Sequence, residues 1–243
     1  MPLIDLQCHF GVTPQAMAIR PPVLAQASAY ADRFAIEMLC FSAREAAADM
    51  DGGNARLGQM LASDKRFRGW LSLSPHQPEQ SQLLARKYLV KPNWVGARFE
   101  QNDDADAISS AGGLEVLNNL RRYSRPVLIT ASTPATLAAA IFVARELSTL
   151  RFLLSPQSEA LTANAVAAIK ETVNMALLPS VAFTERGVVE QAIATLGDRR
   201  VMWGSDWGAY QPAAALGMVK DSALLPAQRE RMIYRNAKEL LTL

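Results

Sequence analysis

The segment Arg200-Val201-Met202-Trp203-Gly204-Ser205-Asp206-Trp207 is an apolar run that ends in a carboxylate. Near the start of the chain, Ile4-Asp5-Leu6-Gln7-Cys8-His9 ends a second apolar run in an imidazole, and Val95-Gly96-Ala97-Arg98-Phe99 places a guanidinium near the end of a third. A carboxylate accepts a proton, an imidazole donates or relays one near neutral pH, and a guanidinium grips a carboxylate with a planar pair of N–H groups. Brought to one place, Asp206, His9 and Arg98 would suit proton transfer on a small anionic molecule. Each also has a structural alternative. Asp206 could cap a helix or hold a backbone N–H, His9 could be a hydrogen-bonded core residue, and Arg98 could pair with Asp5 or Glu100.

What would bring them together is a repeated βα architecture. Short runs rich in Val, Ile, Leu and Phe alternate with longer amphipathic segments rich in Ala, Leu, Glu and Arg, the pattern of a buried parallel sheet wrapped by helices. Eight strands are expected, at Leu3–Gln7, Ala35–Phe41, Phe67–Leu73, Trp94–Phe99, Pro126–Thr130, Arg151–Ser155, Met175–Val181 and Val201–Ser205. Helices are expected at Asn54–Ala62, Glu79–Tyr88, Gly113–Tyr123, Pro134–Leu147, Ala160–Thr172 and Thr184–Leu196. Pro14, Pro21, Pro22, Pro75, Pro92, Pro156 and Pro226 fall in connections, where a missing N–H costs little. Eight such units predict an α/β fold, a single (β/α)8 TIM barrel over residues 1–243, whose strand ends build the active site. Side-chain alternation puts Gln7 and His9 on one side of the first strand and Cys8 on the other, toward the helices.

Composition agrees and narrows the partners. The chain has 243 residues, half of them hydrophobic, enough for one large core. With 25 basic and 23 acidic residues, well scattered, nothing points to nucleic acid or an anionic membrane surface. No apolar run approaches the roughly 20 residues that span a bilayer. Two cysteines, both in apolar segments, suit a reducing compartment rather than a disulfide framework, so a cytoplasmic protein is expected, and a homo-oligomer is compatible with the composition.

The strand-one and strand-eight motifs resemble those of the amidohydrolase superfamily, whose members carry Asp-x-His-x-His on the first strand and Gly-Ser-Asp or Gly-Thr-Asp at the end of the eighth. The resemblance implies a barrel with a divalent metal held by histidines and that aspartate. This chain departs from it: Gln7 stands where the first metal-binding histidine would be, and Thr130 and Ser155 stand where histidines would close strands five and six. With two histidines in all, and His76 in a loop, a His-rich zinc site cannot be assembled. No catalytic metal and no organic cofactor are therefore expected. Met202-Trp203-Gly204-Ser205-Asp206-Trp207 and Val95-Gly96-Ala97-Arg98-Phe99 look like a metal-free subgroup similar to 2-pyrone-4,6-dicarboxylate hydrolase, which opens a lactone-like ester. In that subgroup Pro, and often His, follows the second Trp, whereas here Gly208-Ala209-Tyr210 follows.

Lactone hydrolysis needs a base for water, donors for the oxyanion and a cation for substrate carboxylates. On this reading Asp206 is the base, His9 donates or relays a proton, and Arg98 clamps a carboxylate. Gln7, Thr130 and Ser155 contact substrate or water, and Trp207 and Tyr210 wall the pocket. Trp203 is expected in the helix layer and Asn236 as a structural tie. The implied enzyme is a metal-independent hydrolase of an ester or lactone C–O bond in a small carboxylate-bearing molecule. The alternative is a degenerate barrel that binds such a molecule without turnover.

Overall fold

The computed structural model describes residues 2–11, 24–100, 107–179 and 185–242. Pro14, Pro21, Pro22, Thr184 and the far end of the expected seventh strand, Ser180 and Val181, lie outside the described residues. Seven parallel strands follow one another in space in chain order: β1 Leu3–Phe10, β2 Ile36–Ala43, β3 Phe67–Ser72, β4 Trp94–Glu100, β5 Val127–Ala131, β6 Phe152–Pro156 and β7 Met175–Leu177. Residues 201–207 close the ring. On one side Leu177 N donates to Arg200 O at 2.8 Å and Met202 N to Leu177 O at 2.9 Å; on the other Leu6 N donates to Trp203 O at 3.3 Å and His9 N to Trp207 O at 2.8 Å. The fold is a (β/α)8 barrel.

The eighth expected strand is thus present as a bridging segment that pairs at Val201 and Trp207, not as a continuous ladder. A Cβ on Gly204 would lie 2.7 Å from the Gln7 Cβ, so the glycine lets this segment press against β1.

Helices alternate with the strands: α1 Leu24–Phe34, α2 Met50–Leu61, α3 Pro78–Tyr88, α4 Ala111–Leu120, α5 Pro134–Glu146, α6 Glu159–Lys170 and α7 Val188–Leu196, then α8 Pro212–Asp221, α9 Pro226–Glu230 and α10 Asn236–Leu241. Their starts are written locally. Asp49, Ser110, Thr133 and Ser158 each accept a hydrogen bond from a backbone N–H in the first turn of α2, α4, α5 and α6, and Pro opens α3 and α5.

The core has two layers. Inside the barrel, Ile4, Leu6, Met38, Cys40, Trp70, Val95, Leu128, Leu153, Leu178 and Met202 pack together, and Ala237, Leu240 and Leu241 of α10 plug the end nearest the strand starts. Between strands and helices lies the larger layer, which holds Leu3, Cys8, Phe41, Ala97, Phe99 and Trp203. Cys8 and Trp203 thus face the helices as expected.

These memberships expose a change of phase on each of the two strands that carry His9 and Arg98. On β1, Leu6 faces inward and Cys8 outward although two residues apart, and the register with β2 shifts between Asp5 and Cys8. On β4, Val95 faces inward and Ala97 outward, where Gly69 pairs with Trp94 and Trp70 with Gly96. Each is a β-bulge, one extra residue that turns everything beyond it to the opposite face. Gly96 is required at the second, because a Cβ there would sit 2.2 Å from the Pro126 carbonyl oxygen. Beyond the bulges, His9 and Arg98 point into the barrel mouth.

Asn236 ties α10 to the closing segment, its Nδ2 donating to Asp198 O at 2.6 Å and Val201 O at 2.9 Å. Asn236→Ala leaves both carbonyls without this donor in a buried setting. It should lower stability by about 2 kcal/mol, read as a reduced urea midpoint with an unchanged slope.

Candidate active site at the strand ends

The site rests on a buried carboxylate that the sequence reading passed over. Asp5 is fully buried on the outward face of β1, and it receives Ser205 N at 2.9 Å, the Ser205 hydroxyl, Gln7 N at 3.2 Å and the Tyr30 hydroxyl at 3.0 Å. Ser205 Oγ in turn accepts from Trp207 N at 3.0 Å. Between these two anchored residues stands Asp206, with φ +52°, in the left-handed region. Aspartate visits that region more readily than most residues, at a cost of about 1 kcal/mol, and its persistence here reflects the ties on both sides. The Asp206 carbonyl accepts from Ala209 N at 2.9 Å and Tyr210 N at 3.0 Å, which turns the chain away and leaves the side chain aimed at the mouth.

There the carboxylate meets two side chains of β1. Gln7 Nε2 donates to Asp206 Oδ1, and His9 Nε2 lies 3.1 Å from the same oxygen. Asp206 is 4 % exposed, and Oδ2 takes no hydrogen bond from the described residues. The helix-capping alternative for this carboxylate is not what its contacts describe.

The network continues from the other ring nitrogen. His9 Nδ1 lies 3.4 Å from Ser42 Oγ, Arg98 Nη1 donates to that hydroxyl, and Arg98 Nη2 donates to Thr130 Oγ1 at 3.3 Å. Gln7, His9, Ser42, Arg98, Thr130 and Asp206 therefore form one connected set across β1, β2, β4, β5 and the closing segment. Burial holds the His9 pKa below its ordinary value; the hydrogen bond to Asp206 opposes this and the Arg98 charge assists it. A ring protonated on Nε2 would donate to the carboxylate and leave Nδ1 as an acceptor facing Ser42.

The remaining expected site residues are placed differently. Ser155 is buried at the end of β6 beside Thr130 in register, with Gln157 Nε2 donating to its Oγ at 3.2 Å. Trp207 does not wall the mouth. Its ring turns to the outer layer, stacked on Tyr30 at 6.1 Å and edge-on to Phe41 at 6.0 Å, as the alternation Asp206 inward, Trp207 outward requires. Tyr210 lies in the turn beyond, 43 % exposed. Two participants were missed. Ser42 ends an apolar strand and carried no motif, and Asp5 was weighed only as a partner for Arg98, although it is committed to Ser205 and Tyr30. The signal available for Asp5 was an acid inside a run otherwise apolar.

Whether a divalent metal fits can be judged from the donors. Among the described residues no three His, Cys, Asp or Glu side chains converge. At the mouth one imidazole and one carboxylate are joined by an amide and hydroxyls, and the guanidinium of Arg98 sits two bonds away through Ser42. Catalytic zinc takes three protein ligands from His, Asp, Glu or Cys, so this set does not suit it.

Burial raises the Asp5 pKa to about 6, its hydrogen bonds from Ser205 and Gln7 pulling the other way. Between pH 4 and 6 the folded chain then holds a proton that the unfolded chain has released, so this group's contribution is full below pH 4 and is lost as pH rises through 6. Asp5→Asn, which stays neutral, should gain about 2 to 3 kcal/mol relative to the native chain between pH 4 and pH 7 in denaturant titrations. A constant difference across that range would contradict a buried ionising Asp5.

A crystal structure of a dihydroxybenzoic acid decarboxylase from Polaromonas sp. JS666, with bound manganese and 2-nitroresorcinol, superposes with a TM-score of 0.79 at 16% identity, covering 100% of this chain and 97% of that one. A 2,6-dihydroxybenzoate decarboxylase from Rhizobium gives 0.79 at 14%, covering 99% and 98%. A probable 2-pyrone-4,6-dicarboxylic acid hydrolase from Acinetobacter baumannii, with citric acid bound, gives 0.75 at 12%, covering 100% of each. At these identities the likeness is one of fold. Curated protein sequences return no match. A scan of protein families matches residues 8–243 to the family described as amidohydrolase. This chain belongs to the amidohydrolase family.

Proposed function

We propose that the chain is a metal-independent hydrolase of an ester or lactone C–O bond in a small carboxylate-bearing molecule. The observation that carries this reading is the state of Asp206: one oxygen held by Gln7 and His9, the other uncommitted among the described residues, on a backbone held in the left-handed region. A base positioned in this way has one oxygen to offer and little freedom to turn it elsewhere. Asp206 Oδ2 takes a proton from water as the water oxygen attacks the acyl carbon. The tetrahedral oxyanion then collapses, the acyl C–O bond breaks, and the leaving oxygen recovers the proton from Asp206.

His9 acts differently from the expectation of a donor to substrate. Its Nε2 proton is spent on Asp206, so its work is to orient and support the base. Arg98 supplies the cation for a substrate carboxylate or for oxyanion charge, with Thr130 and Ser155 beside it as hydroxyl contacts and Tyr210 at the rim. The names of the neighbouring structures, dihydroxybenzoate decarboxylases and a pyrone-dicarboxylic acid hydrolase, all specify carboxylate-bearing rings, which supports an anionic ring as the substrate class. Among the described residues no helix is long and apolar enough to cross a membrane, and both cysteines are buried thiols, which suits a cytoplasmic setting.

The second reading, a barrel that binds without turnover, is favoured by Gln7, Thr130 and Ser155 standing where the resemblance implies histidines. Two variants separate them. Asp206→Asn should abolish hydrolysis across a lactone and ester panel while binding persists, because shape survives and proton acceptance is lost. Arg98→Met should weaken binding by about 2 kcal/mol or more, most for ligands with a carboxylate. An unchanged rate in Asp206→Asn, or no turnover by the native protein of ligands it binds, would establish the binder instead. Elemental analysis should find less than one equivalent of zinc, iron or manganese; stoichiometric metal whose removal and return switch activity off and on would refute metal independence.

A further inference from the structure

Ser42 is fully buried at the end of β2 and pairs in register with His9. Its hydroxyl has three polar neighbours. Arg98 Nη1 donates to it, His9 Nδ1 lies at 3.4 Å, and the Cys8 carbonyl oxygen lies at 3.4 Å. A guanidinium N–H can only donate, so Ser42 Oγ must accept from Arg98, and its single proton is left for one of two acceptors at equal range. When His9 is neutral with its proton on Nε2, Nδ1 is a lone pair and takes the Ser42 proton. When His9 is charged, Nδ1 becomes a donor. The hydroxyl then accepts from both His9 and Arg98 and turns its own proton to the Cys8 carbonyl. Either way the Ser42 hydroxyl and His9 Nδ1 are both satisfied without displacement of a heavy atom.

We propose that Ser42 is a positioning residue of this site, a hydroxyl rotor that holds the His9 ring and the Arg98 guanidinium in one register and accommodates His9 in both protonation states. It touches neither the proposed water nor the substrate carboxylate and acts through His9 and Arg98. The charged groups around His9 are Asp206 on the closing segment, Arg98 on β4 and Arg44 just after β2. Asp206 favours the imidazolium and the two arginines oppose it, so with charges so opposed the neutral hydroxyl decides whether Nδ1–H has an acceptor. The inference deepens the reading of the site given above, but its test does not depend on turnover.

The chain has two histidines, and His76 is exposed, so the nitrogen resonances of the two rings can be told apart by NMR on the intact protein. In the native chain at pH 8 the expected result is a His9 ring protonated at Nε2 whose Nδ1 resonance shows an accepted hydrogen bond. In Ser42→Ala, Nδ1 should move to the position of an unbonded nitrogen. The His9 midpoint should also fall by about one pH unit, since the charged ring's Nδ1–H losing its acceptor costs more than the neutral ring losing its donor, while His76 stays unchanged. Ser42→Thr, which keeps the hydroxyl, should restore both. A native His9 carrying its proton on Nδ1 overturns the proposal even if Ser42→Ala does not fold. So does a Ser42→Ala protein whose His9 shift and midpoint match the native ones. Inactivity toward every ester tested would remove the hydrolase reading and leave this measurement standing.

Discussion

The pairing of Asp5 with Ser205 is the contact on which the site depends. A carboxylate with no access to water is costly, and this one persists because a backbone N–H and hydroxyl of the closing segment, a backbone N–H of its own strand and the hydroxyl of Tyr30 all point at it. The same bonds join the first and last strand positions of the barrel, and the residue next to Ser205 is Asp206. Closure of the fold and placement of the proposed base are thus one event. Tyr30 adds a further tie, since its ring stacks on Trp207 while its hydroxyl holds Asp5, which fastens α1 to both.

Charge in the mouth is arranged with little solvent to help. Asp206 and Arg98 are each nearly inaccessible, and they are linked through a neutral imidazole and a hydroxyl. Two N–H groups of the guanidinium go to neutral hydroxyls, those of Ser42 and Thr130.

Much of this was legible in the sequence, for a definite reason. In a buried parallel sheet each strand is a continuous apolar run, and the helices between them carry a different period, so the eight units and their order could be read from hydrophobic patterning. The expected helix from Pro134 to Leu147 and the strand from Trp94 to Phe99 match α5 and β4 to within a residue. Gln7, His9, Arg98, Thr130 and Asp206, which the structure brings together, could be singled out because polar groups that close apolar runs stand out. Ser42 was not, because a small hydroxyl residue at a strand end is unremarkable until its neighbours are known. Trp207 was misplaced because its motif suggested the mouth, whereas its parity with Asp206 puts it behind the strand.

The bulges on β1 and β4 bear on how such a barrel can change. Below each one a strand serves the inner packing; above it the same strand would, by simple alternation, have turned His9 and Arg98 outward among the helices. The phase change belongs to the backbone and not to the residues beyond it, so the identity of the tip can be rewritten without disturbing the packing beneath. That separation fits a chain that keeps the whole architecture of its structural neighbours at 12% to 16% identity.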